Sequence, residues 1–203
     1  MRREMKIRAA ALFAALTLTM TASGAAHAGL LIKGGTTHFT SGLDKVTSAG
    51  PTWGLGYSFK PVSFVAVETG TEGSRNPVND PDSPDTTALL RLGETTMVKF
   101  ILPVLPVVHP FIGAGIALDY IMVQGGQSQF SMPIAIPGMP EQPESKYSSG
   151  MFVHFPFAAG IDFDLSAVVL GVRATYHRTA TSPFPKGINP NFLDLSASIA
   201  LAF

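Results

Sequence analysis

His177, Thr179 and Asp194 are the residues of this chain whose types could together do chemistry. An imidazole that takes a proton from a hydroxyl, oriented by a carboxylate, is the arrangement of nucleophilic hydrolysis. The stretch RATYHRTATS, Arg173–Ser182, carries His177 as candidate base and Thr179 as candidate nucleophile. Only an acid on another segment, such as Asp194, could orient that imidazole. The other histidines of the exported part, His38, His109 and His154, are far apart, with no His-x-His or HExxH spacing. No metal or cofactor site is therefore expected. The acidic run DPDSPD, Asp80–Asp85, lacks the spacing of a calcium loop. With no cysteine in the chain, thiolate chemistry and disulfides are excluded.

The elements that must position such residues alternate with period two, which is the mark of strands. Eight are expected: 30–41, 52–60, 62–73, 88–102, 107–123, 151–165, 167–181 and 191–203. In the second, Trp53, Leu55, Tyr57 and Phe59 share one face, and Thr52, Gly54, Gly56 and Ser58 the other. In the seventh, Val168, Leu170, Val172 and Tyr176 oppose Arg173, Thr175, His177 and Thr179. Glu94 interrupts the apolar face of the fourth strand; a bulge or a place near an interface would explain it. Pro156 lacks the donor that a sheet ladder uses. The connections also alternate. Those after the second, fourth and sixth strands are short, and the others are long and rich in Gly, Pro, Ser, Asn and Asp.

The N-terminus is organised differently. A basic MRREMKIR precedes an uncharged apolar stretch and the small residues of AHA. This is the pattern of a secretory signal peptide over 1–28, cleaved after Ala28, with one domain at 29–203. The leader holds four of the 14 basic residues and one of the 14 acidic ones, so the remainder is weakly acidic. That balance does not suggest a nucleic-acid partner. Beyond the leader no apolar run is long enough for a spanning helix. An apolar chain without one is either a soluble barrel with its apolar face inward, as around a ligand, or a membrane barrel with that face outward. The sorting of short turns to one end and long loops to the other favours the second.

These features resemble the small eight-stranded outer-membrane β-barrel class (OmpA/OmpX/OmpW-like). The carriers are the leader, the eight alternating strands, HPFIGAGIALDY (His109–Tyr120) and the aromatic Phe203. The resemblance implies an all-β, eight-stranded antiparallel up-and-down transmembrane β-barrel in the outer membrane of a Gram-negative-type bacterium. It further implies contact with outer-membrane lipid and lipopolysaccharide, and Phe203 as the assembly signal read by the barrel assembly machinery. RATYHRTATS also resembles the His-x-Ser stretch of outer-membrane lipid A 3-O-deacylases, which keeps a lipid-modifying hydrolase as a third alternative, although Thr179 stands where that family has Ser and no Glu follows His177.

In such a barrel the polar face points inward, and both signs of charge lie on it: Lys33, Glu68, Arg91, Lys99, Asp119, His154, Asp162, Arg173, His177 and Asp194. Mixed charges in a narrow lumen are expected to pair into a plug, because an unpaired buried charge is costly. The leading expectation is a non-catalytic structural or surface-interaction barrel. A narrow channel or small-solute conduit is the alternative. The Gln124–Gly150 loop, with apolar Phe130, Met132, Ile134, Ile136 and Met139, is the candidate contact for a surface partner, or else a cover over the barrel mouth.

Overall fold

The computed structural model describes residues 27–82, 84, 86–102, 105–125, 149–182, 184 and 189–202, with the side chains of 27, 28 and 202 set aside. The expected leader up to residue 26, Phe203, and the loop residues Phe130, Met132, Ile134, Ile136 and Met139 lie outside the described residues. Eight strands follow in chain order: β1 His27–Phe39, β2 Gly50–Val62, β3 Val65–Pro77, β4 Ala88–Ile101, β5 Val108–Gln124, β6 Gly150–Asp164, β7 Val168–Thr179 and β8 Phe192–Ala202. Each pairs antiparallel with its neighbour in sequence, and β8 pairs back onto β1, so the sheet is a closed barrel. β1 begins two residues before the cleavage point expected from the sequence.

The register sets the geometry. From Ala28 the ladder partners are Phe59, Val67, Val98, Ala114, Phe157, Tyr176 and Leu193. Leu193 then pairs with His38, so one circuit returns to β1 ten residues further along. A stagger of ten over eight strands tilts the strands by roughly 35–45° and leaves an interior that side chains can fill. The circuit climbs toward the end bearing the long connections.

One connection differs from the sequence expectation. Lys60-Pro61 is not the turn between β2 and β3: Val62 pairs with Val65, and the turn is Ser63-Phe64. A register shift between Phe59 and Val62 carries the strand past Pro61. A proline cannot donate to the ladder, and an irregularity of this kind is where a sheet tolerates one. Between β6 and β7, Ser166 has φ 70° and donates its backbone N–H to Asp164 Oδ1 at 3.1 Å. Within β6, Pro156 keeps its partner on β7, His177. The β5–β6 pairing skips Gly115 and Ile116, opposite Phe155 and Pro156.

The distribution of side chains is that of a soluble protein turned inside out. Ile32, Leu55, Ile112, Phe157, Val172 and Ile199, on six different strands, are 47–61% exposed on the outer wall. The charged residues are inside. This overturns the soluble alternative with an inward apolar face, since water does not favour so broad an apolar wall.

Glu94 points outward and is exposed. Both ladders flanking β4 run through it without a shift, so it is not a bulge. Its height follows from the stagger. Trp53 connects through Gly73 to Leu92, a climb of two strands or about 2.5 residues, which puts its level on β4 beside Glu94. Tyr176 connects through Phe157 and Ala114 to Val98, a descent of three strands or about 3.75 residues, and reaches the same place. Glu94 therefore shares its level with an outward Trp and Tyr, the pair of residue types that marks a membrane–water interface.

Candidate functional site

The lumen is filled by two ion-paired clusters, one above the other. The lower is built on β3, β4, β6 and β7. Lys99 Nζ donates to Glu68 Oε1 at 2.9 Å and to Asp162 Oδ2 at 2.6 Å. Arg173 grips the same Glu68 with two nitrogens, at 2.5 and 3.1 Å. Phe111 lies beneath both cations, 3.8 Å from Lys99 Nζ and 5.5 Å from Arg173 Cζ. Two positive and two negative groups, all buried, thus compensate one another locally.

The upper cluster joins β1, β3, β4, β5, β6, β7 and β8. Arg91 is 1% exposed and donates to Asp119 Oδ2 at 2.8 Å, Asp194 Oδ2 at 3.3 Å and Ser74 Oγ at 3.2 Å. Asp194 also accepts from Thr37, and Lys33 pairs with Glu72. His154 Nε2 is 2.9 Å from Asp119 Oδ2, and His154 Nδ1 is 3.1 Å from His177 Nδ1. Phe192 lies face to face with His177, with ring centroids 4.1 Å apart, and its ring face is 4.4 Å from the Arg91 guanidinium carbon.

Inward glycines make room for these carboxylates. A Cβ on Gly171 would lie 2.5 Å from Ser198 Oγ and 2.7 Å from Asp162 Oδ1, and one on Gly93 would collide with Asp119.

Above the upper cluster the lumen ends in an apolar cap. Phe39, Leu89, Ile121, Phe152 and Phe192 point inward from the strands, and Leu43, Val78 and Phe184 come in from the long connections. Sequence reasoning placed only polar residues on the inward face here. The signal was present, since Phe152 has the parity of His154, and Phe192 that of Asp194.

All ten residues singled out for the lumen face inward, and nine are buried; Lys33 is half-buried. Asp164, two residues beyond Asp162 and of the same parity, pairs with Lys60 at 3.2 Å at the short-turn end. The hydrolase arrangement is not assembled. His177 Nε2 reaches Asp194 at 3.2 Å, but Thr179 Oγ1 donates to the Pro190 carbonyl at 3.0 Å, and His177 Nδ1 faces His154.

No protein-family profile matches this chain, and no curated protein sequence does. Solved structures do. Neisserial surface protein A superposes with a TM-score of 0.62 at 14% identity, covering 89% of this chain and 100% of that one. OprG from Pseudomonas aeruginosa gives 0.52 at 10% identity, covering 88% and 98%. The N-terminal β-barrel domain of Pseudomonas aeruginosa OprF gives 0.50 at 9% identity, covering 88% and 100%. The fold is that of the small eight-stranded outer-membrane β-barrels.

Proposed function

We propose that this protein is an integral outer-membrane barrel with a structural or surface-interaction role, exported through a leader at 1–28 and inserted with Phe203 as the assembly signal. The observation that carries the reading is a lumen packed with paired charges and closed by an apolar cap, inside a wall that is apolar outside. Cavities among the described residues are as small as about 10 and 20 Å³, and the larger has room for about one water. The wall supports contact with lipopolysaccharide. Arg75 and Arg178 are exposed on its outer face, just above the level of Trp53 and Tyr176, where cations would meet lipid phosphates. The loops at that end are the surface available to a partner.

The test is cell fractionation with gel mobility before and after boiling. The protein should stay with the outer membrane until detergent is added, and should run differently when unboiled. Recovery in the soluble periplasmic fraction would end this reading. Planar bilayers holding the purified protein should show no steady conductance, whereas discrete steps would favour the channel alternative.

A further inference from the structure

We propose that Glu72, His177 and Asp194 form a site for one divalent transition-metal ion of the zinc class inside the barrel, beneath its apolar cap. The three residues come from β3, β7 and β8 and are all buried, and each offers one ligand atom within 4.8 Å of the others. No local spacing shows this set, because barrel closure alone brings these strands together.

The hydrogen-bond chain fixes which nitrogen is available. Asp119 is a carboxylate held by Arg91, so His154 Nε2 donates to it at 2.9 Å. A neutral His154 then accepts at Nδ1, so His177 donates from its own Nδ1 across 3.1 Å. The lone pair of His177 is left on Nε2. That atom is buried and makes no hydrogen bond among the described residues, although Asp194 Oδ2 lies 3.2 Å away. A lone pair set against two carboxylates is repulsive, and a cation bound between them removes the repulsion, as would a proton on Nε2.

The charge count agrees. The upper cluster holds Lys33 and Arg91 against Glu72, Asp119 and Asp194, one positive charge short. A zinc-class ion takes one imidazole and two carboxylates readily and keeps a fourth position for water. Bound with hydroxide there, it adds a single net positive charge. The 20 Å³ cavity touching Glu72 and Asp194 has room for that oxygen. Asp119 and His154 stand behind His177 as the orienting partners that metal-bound imidazoles use.

The test uses the untagged chain without its leader, stripped with chelator and refolded into detergent with Co²⁺ as the probe. One Co²⁺ per folded chain is expected, with tetrahedral visible absorption that Zn²⁺ abolishes. His177→Gln should weaken binding at least about 100-fold, and His154→Gln by about 10–100-fold, with unboiled gel mobility retained. Should His177→Gln fail to fold, Glu72→Gln and nitrogen couplings in the spin-resonance spectrum of Cu²⁺-loaded wild type carry the decision. Folded wild type that takes up no Co²⁺, or a site indifferent to these changes, overturns the proposal. A His177 imidazolium would then supply the missing charge.

Discussion

Lys99 shows what a single residue does in this lumen: its ammonium is shared by Glu68 and Asp162 and rests over Phe111. Lys99→Met keeps most of the volume and leaves Arg173, bonded to Glu68, as the direct counter-charge of that pair. It should cost about 3–5 kcal/mol, read as a lower urea midpoint of the unboiled gel band. The opposite sign is expected at Ser166, where an L-residue holds φ 70°. Ser166→Gly should stabilise the fold by about 0.5–1 kcal/mol, read as a higher midpoint, the left-handed strain outweighing glycine's extra chain entropy. The inward placement of Lys99 was legible from alternation in FILPV and TTMVKF, but its partners were not. Which carboxylate meets which cation depends on a ten-residue stagger that local sequence does not display. The same holds for His177: its face could be read from Arg173 and Thr175, whereas its neighbours His154 and Asp194 arrive from other strands.

At the scale of elements, β8 does more than complete the sheet. Its first residue, Phe192, is fully buried, stacks on His177, turns a ring face to the Arg91 guanidinium and packs edge-on to Phe39. Phe192→Ala should cost about 3–5 kcal/mol. Phe192→Leu should recover the apolar part of that loss but not the stacking, so its midpoint should fall between the two. Strand existence and facing were readable for all eight elements, because a wall with lipid-suited and lumen-suited sides writes a strict period of two. The β2–β3 turn was misplaced because Pro61 reads as a breaker. The strand passes it by shifting register, which costs little near a sheet end. Glu94 illustrates the reverse: parity alone gave its face, and only the stagger gave its height.

The whole molecule closes at one seam. Seven of its eight ladders join neighbours in sequence, and the eighth joins β1 to β8, with Gly29 opposite Ala202. Bringing ends that far apart together costs roughly 2 kcal/mol more chain entropy than a loop of about a dozen residues. Until Phe192 meets Phe39, the curled sheet carries two unpaired edges of matching register, each able to accept the complementary edge of another chain. Assembly is then a race between a first-order and a second-order event. Refolding yield into detergent should fall as protein concentration rises, and the lost material should be ladder-paired oligomers. Tethering the seam with a Thr36→Cys and Leu195→Cys disulfide, across directly paired positions, should make the yield independent of concentration. The barrel's one long-range seam thus makes the population of chains, and not only the single chain, part of how this protein reaches its form.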